Sequence, residues 1–375
     1  MSNNLSVLFL CGWYPSRVLP YNGDFIQRHA EAVALKHKVT IIHIITDSSL
    51  KTEIEYSFNT INGIETHIAY IKPQQRLQKT FLFFKAFKNL IDKVGSFDVV
   101  HLNEVFPFGI FSLYLKWFLK KPYIISEHWT VYHRPKSISF FEKKLSAIIT
   151  KNAAFVCPVS DNLGNAMQAI GLKGNYKKVP NVVHTDAFTP SNMHLDVFTI
   201  THISSLNNNH KNIKGMLDVM VEVQKEISEF KFQLIGENAT MYKEYAHKLG
   251  IDSTKITFFK QIPHQEVSEK LKMSNLFVLF SNYENLPCVI LEAFSCGVPV
   301  ISTNVGGINE YFPNDFGRLI EVNNRTELKE EILNFYHKVY TIANKEKMHT
   351  YVVSLFSKNK IANDFSELYK KSLKR

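Results

Sequence analysis

Glu284 and Glu292 stand eight positions apart in a stretch whose local pattern gives both of them a chemical task. Residues 276–280 form an unbroken apolar run that reads as a buried strand, and 281–287 are rich in turn formers. A helix is expected from near Pro287, a residue favoured at the first helical position, and Gly297 is placed to stop it. Glu284 then lies on the loop and Glu292 on the helix. The backbone N–H groups of residues 285–289 between them carry the partial positive charge of a helix N-terminus, which suits a diphosphate. A carboxylate on either side can accept charge-assisted hydrogen bonds from sugar hydroxyls. A surface Glu followed by a helix-face Glu is the plainer reading of the same letters. Against it, Glu292 interrupts an otherwise apolar helix between Leu291 and Ala293, where an unpaired carboxylate is expensive.

The elements that must position these residues are legible as alternation. Apolar runs at 5–10, 39–45, 99–102, 123–126 and 155–159 read as buried strands, and amphipathic helical patterns fall between them at 24–36, 81–93, 108–119 and 161–170. Strand–helix alternation implies a parallel sheet covered by helices on both faces. Residues 53–71 look like a local antiparallel pair turning at Asn62-Gly63. The pattern breaks between 180 and 197, around Pro180 and Pro190, and then resumes with strands near 198–204, 231–235, 255–259, 275–280 and 299–302. A long final helix is expected over 352–374. The fold class is therefore α/β, with two doubly wound domains in tandem: 1–187, 195–354, and a last helix of about 355–375 that packs back on the first domain.

Composition bounds the function. The 375 residues are 45% apolar and 21% charged, an ordinary globular balance. No apolar run approaches the ~20 residues needed to span a bilayer. The first twenty residues lack a basic flank and read as a first strand, not a signal peptide, so a cytoplasmic location is expected. Cys11, Cys157, Cys288 and Cys296 are scattered and read as reduced core residues, and no His, Cys or carboxylate cluster has metal-ligand spacing. The net charge of +10 is uneven: residues 1–190 hold 22 Lys/Arg against 13 Asp/Glu, and the rest are nearly balanced. Such a basic half attracts an anionic membrane surface or an anionic substrate. Nucleic acid is the weakest candidate, because no nucleic-acid-binding signature is present. Residues 72–93 and 116–121 mix lysines with Phe81, Phe83, Phe84, Phe87, Trp117 and Phe118. That mixture allows peripheral membrane contact, or aromatics packed inward beneath solvated lysines.

Taken together, Glu284-x7-Glu292, Gly297-Val298-Pro299-Val300 and Gly306-Gly307-Ile308-Asn309-Glu310 resemble the signature of retaining glycosyltransferases of family 4. Trp13-Tyr14-Pro15, Gly23-Asp24-Phe25, Asp98-Val99-Val100-His101, Glu127-His128, Lys211-Asn212 and Gly317-Arg318-Leu319 follow that family's order over nearly the whole chain. The resemblance implies a GT-B fold, with two Rossmann-like domains facing each other across a cleft. It also implies transfer of a sugar from a UDP- or GDP-type nucleotide-sugar donor to a glycan or lipid-linked acceptor, with retention of configuration and no cofactor or bound metal. Polysaccharide or glycolipid assembly is the implied setting.

By the same resemblance Glu292 holds the ribose hydroxyls and Glu284 the transferred sugar, while the backbone of Asn285, Leu286 and Pro287 borders sugar and phosphates. Lys211 neutralises the leaving diphosphate, the charge that catalysis must stabilise most. His128 contacts the donor sugar, and Gly23 lets backbone approach donor phosphate and acceptor. One departure stands out: Ser205 occupies the donor-site position where the family carries an arginine. Either His210, Lys214 or Lys260 is expected to replace that charge, or phosphate binding relies more on the helix N-terminus. Two competing readings keep the same fold, a nucleotide-sugar epimerase and a degenerate sugar-nucleotide-binding scaffold, and only Ser205 favours the second. A nicotinamide dehydrogenase is excluded, since neither domain's first strand leads into GxGxxG.

Overall fold

The computed structural model describes residues 4–374. Residues 1–3 and 375, at the outer ends of the expected domains, lie outside the described residues. The chain divides into two compact units. Unit 1 comprises the chain up to Val182 together with the segment from Lys358 onward, and unit 2 is Val183–Ser357.

Unit 1 runs β1 (Ser6–Cys11), α1 (Asp24–Ala34), β2 (Lys38–Thr46), β3 (Ile54–Ile61), β4 (Ile64–Ile71), α2 (Arg76–Ile91), β5 (Val99–Asn103), α3 (Gly109–Leu119), β6 (Tyr123–Glu127), α4 (Phe140–Asn152), β7 (Phe155–Pro158) and α5 (Asp161–Ala169). The strand order is β3-β4-β2-β1-β5-β6-β7, parallel throughout except for β3, which pairs antiparallel with β4 across the turn at Asn62 and Gly63. β1 is buried almost end to end because both faces of a parallel sheet are covered. It pairs with β2 on one side and β5 on the other, so the topological switch point lies between β1 and β5.

Unit 2 runs β8 (Phe198–Ile203), α6 (Asn208–Lys211), α7 (Ile213–Glu226), β9 (Phe230–Ile235), α8 (Lys243–Lys248), β10 (Ile256–Phe259), α9 (His264–Lys272), β11 (Leu276–Leu279), α10 (Cys288–Ser295), β12 (Val300–Thr303), β13 (Gly317–Ile320), α11 (Arg325–Tyr336) and α12 (Lys345–Phe356). Its six parallel strands have the order β10-β9-β8-β11-β12-β13, which puts the switch point between β8 and β11.

Two local expectations are corrected. The final helix is not continuous: Ser357 is extended (φ −64°, ψ 153°), and α13 (Lys358–Ser372) begins after it as part of unit 1. There Phe365 and Tyr369 are buried in the unit 1 core, where the Tyr369 hydroxyl lies 2.6 Å from His101 Nδ1 and His37 Nε2 lies 2.9 Å from Ser366 Oγ. Pro287 also sits one position before the helix, as the N-cap of α10 with extended backbone. Its fixed φ near −65° is compatible with both places. Gly297 ends α10 at φ +72°, as its type demands.

Candidate active site

The loops after β8 and β11 meet at the switch point of unit 2. A hydrogen-bond relay pins the first loop. His202 Nδ1 lies 2.8 Å from the Val278 carbonyl of β11, Nε2 lies 2.7 Å from Ser204 Oγ, and that oxygen accepts the Leu206 N–H. Burial pushes His202 down to about 4, so the ring is neutral and can donate at Nδ1 and accept at Nε2. The Asn207 side chain caps α6 by accepting from the His210 N–H, and α6 delivers Lys211 inward. The second loop is tied to the first: Asn282 N–H donates to the His210 carbonyl at 2.8 Å and its side-chain amide to the Asn209 carbonyl at 3.0 Å.

Held this way, Lys211 Nζ forms a buried ion pair with Glu284. His210 Nε2 lies 3.5 Å from the other carboxylate oxygen, and its ring stacks on Tyr283 with centroids 4.2 Å apart. Burial alone would raise the Glu284 carboxyl, but the Lys211 charge, with His210 beside it, outweighs burial and holds the group down at about 2. The loop also needs Gly306. At φ +60° its backbone passes so close to Glu284 that a Cβ would fall 1.9 Å from the Glu284 carbonyl oxygen. Gly307 N–H then donates to the Asn285 carbonyl at 2.8 Å. Asn285 and Leu286 are buried and Pro287 is half-buried, leading into α10, whose N-cap Pro287 contributes no side-chain bond.

Glu292 is buried on α10, 2.8 Å from His264 Nε2 at the start of α9. His264 in turn packs against Phe188, with centroids 4.7 Å apart. Sequence reasoning missed His264. A lone histidine 28 positions from its partner carries no local signal, whereas His210 was legible as a charge beside Lys211. Ser205 is exposed, and the neighbouring Ser204 hydroxyl takes part in the relay. Of the three expected substitutes for the arginine, the structure brings His210 to Glu284. Lys214 lies over the Tyr245 ring, and Lys260 is exposed just beyond β10.

In unit 1, His128 follows β6 and packs on Phe25 and His29, with centroids 4.5 and 5.3 Å away. Burial, reinforced by His29, holds its pKa well below the ordinary value, against the pull of a bond to Asn181. Gly23 is the N-cap of α1 at φ +75°, where a Cβ would meet the Trp13 and Tyr14 backbone at 2.6–2.8 Å. The protein's own backbone therefore demands glycine there. Among the described residues no group of three or more His, Cys, Asp or Glu could hold a metal ion, and no helix is long and apolar enough to cross a membrane.

The comparisons with known proteins agree with this architecture. The model for Glycosyltransferase Family 4 matches residues 26–187, and that for Glycosyl transferases group 1 matches residues 187–358. The uncharacterized glycosyltransferase MJ1178 of Methanocaldococcus jannaschii is 26% identical over 325 residues, 85% of this chain and 86% of the relative. The N-acetyl-alpha-D-glucosaminyl L-malate synthase of Bacillus anthracis is 30% identical over 176 residues, 45% of this chain and 44% of that one. Among solved structures, Anabaena HepE in complex with UDP and glucose superposes with a TM-score of 0.74 at 16% identity, covering 97% of this chain and 99% of its own. Two family models that abut over most of the chain, relatives named as glycosyltransferases and a shared two-sheet architecture make this protein a glycosyltransferase of the GT-B fold.

Proposed function

We propose that the protein transfers a sugar, with retention of configuration, from a UDP- or GDP-type nucleotide-sugar to a glycan or lipid-linked acceptor in polysaccharide or glycolipid assembly. The observation that carries this reading is the buried Lys211–Glu284 pair with His210 beside it, at a switch point where α/β folds bind ligands. Glu284 accepts hydrogen bonds from hydroxyls of the transferred sugar and Glu292 from the ribose, with the Asn285–Pro287 backbone bordering sugar and phosphates. The bond between the sugar carbon and the diphosphate oxygen breaks and the acceptor oxygen bonds to that carbon on the same face. The acceptor proton passes to the leaving phosphate oxygen. Lys211, His210 and the α10 N-terminus meet the negative charge that develops, which is the role of a bound metal in other transferases. With serine at 205 the site relies on those groups alone. His128 is assigned to the donor sugar and Gly23 to the phosphate-side loop, both by resemblance. UDP bound to Anabaena HepE and the N-acetylglucosaminyl relative support the donor class.

Melting the protein with UDP, GDP, ADP, CMP and their sugars, with and without EDTA, tests the proposal. One nucleotide series should raise Tm, unchanged by EDTA, and Glu292→Ala should abolish the shift. No shift with any nucleotide at saturating concentration would reject it.

The acceptor side of the proposal includes an anionic membrane surface. Phe83 and Phe87 pack on Phe111, as the inward reading expects. Leu77 and Phe81 on α2, Trp117 and Phe118 on α3, and Phe140 and Phe141 on α4 stay exposed among lysines. Cosedimentation with anionic but not neutral vesicles, lost in high salt, is the expected result. Equal recovery in the supernatant with both vesicle types would remove this part.

A further inference from the structure

We infer that His264 is a positioning residue of the donor site. Its Nε2–H holds the Glu292 carboxylate in the orientation that reads the ribose hydroxyls, and so sets the preference for a ribonucleotide over its deoxy counterpart. The inference rests on the proposed function in placing the ribose at Glu292.

The two side chains come from different helices. His264 is the first residue of α9, entered through Pro263, and Glu292 lies one turn into α10. The loop after β10 therefore meets the block after β11, with His264 Nε2 2.8 Å from Glu292 Oε1. The glutamate side chain is 5% exposed and the histidine side chain 33%, so the bond reaches from the rim of the site to a buried acid. Leu291 and Ala293 on either side are buried and apolar, and a carboxylate among them needs a donor to stay where it is. Each carboxylate oxygen carries two lone pairs. One bond from His264 thus fixes the plane of the group without using up its capacity to accept from hydroxyls.

The imidazole is itself held. The Phe188 ring packs on it with centroids 4.7 Å apart at 51°, and His184 meets it edge to face at 5.5 Å. Both belong to the segment with which unit 2 begins, and that segment is tied to the same two helices. Ser268 Oγ of α9 donates to the Ala187 carbonyl at 2.6 Å, and Ser295 Oγ of α10 donates to the Phe188 carbonyl at 2.5 Å. Phe188 and Ser295 are completely buried. The segment, α9 and α10 form one interlocked support, so His264 gives up its rotamer freedom before any ligand arrives. Pre-orientation of this kind is what a positioning role requires, because small misplacements of a binding group cost affinity steeply.

Isothermal titration with the nucleoside diphosphate that raises Tm, and with its 2′,3′-dideoxy analogue, separates orientation from mere support. The ratio of the two affinities measures what the ribose hydroxyls contribute at Glu292. The parent should bind the dideoxy analogue about tenfold more weakly or worse. His264→Phe keeps a ring against Phe188 and removes the N–H. It should bring the ratio to within about threefold of unity while leaving affinity for the dideoxy analogue unchanged. His264→Gln can present an N–H at a similar reach and should restore most of the ratio. A ratio in His264→Phe equal to the parent's overturns the inference, whether both affinities are kept or both fall together as a structural role alone would make them. A parent indifferent to the ribose hydroxyls overturns it as well. A parent that binds no nucleotide rejects the donor proposal and this inference together, whereas a parent that binds one and shows an unchanged ratio in His264→Phe rejects this inference alone.

Discussion

The two sheets place comparable residues at comparable points and give them opposite electrostatics. In unit 2 the loops after β8 and β11 bring Lys211 to Glu284, with His210 close by, and the carboxylate is held ionised at about 2. In unit 1 the positions after β1 and β5 bring Gly12 to Glu104, whose charged neighbour is Glu127, and the carboxyl is held neutral at about 9. Burial pushes both groups the same way. Lys211, with His210 beside it, decides the outcome, because an opposite charge within contact distance outweighs desolvation and a like charge adds to it. Under the proposed roles, the unit 2 switch point serves a leaving anion, while the unit 1 switch point holds an uncharged carboxyl.

The comparison breaks most visibly at Lys211. Lys211→Met leaves Glu284 buried without its cation and should cost about 3–5 kcal/mol of stability along with transfer activity. Adding Glu284→Gln to it should recover much of the stability and none of the activity, as read by urea melts and a transfer assay. A single variant that melts like the parent would mean that the pair does not govern the site.

Glu104→Gln probes the other unit and should act in the opposite direction. A carboxyl whose folded pKa is raised from 4.5 loses stability as pH climbs above 4.5, because only the unfolded chain ionises freely there. The amide escapes that loss, so the variant should be more stable by about 3 kcal/mol at pH 7, with the gain gone below pH 4.5. Glu284 has the depressed pKa, so its contribution is full above 4.5 and is lost as pH falls toward 2. The parent should shed about 2 kcal/mol from this group by pH 3, and Glu284→Gln should lack that slope. Glu292→Gln is the mildest change. His264 is one-third exposed, so stability should move by no more than about 1 kcal/mol, while nucleotide affinity falls about tenfold.

Much of this was legible in the chain, and the limits are physical. Strand–helix alternation, the hairpin turning at Asn62-Gly63 and the Gly297 stop are local signals, and they appear in the structure. Lys211 and Glu284 could be singled out, but only as separate contacts. Their pairing across 73 positions depends on β8 lying beside β11, which local pattern does not encode. Glu104 was passed over for the same reason. A carboxylate after a strand looks like any loop residue until strand order sets β5 against β1. The break at Ser357 is hidden because helix-forming sequence continues on both sides of one extended residue.

That break has a consequence for how the molecule is made. Unit 1 needs α13, whose Ile361, Phe365 and Tyr369 lie in its core, yet α13 leaves the ribosome after all of unit 2. The half that is translated first must therefore wait with its core incomplete while the second half folds. The usual order of co-translational folding is inverted for this core.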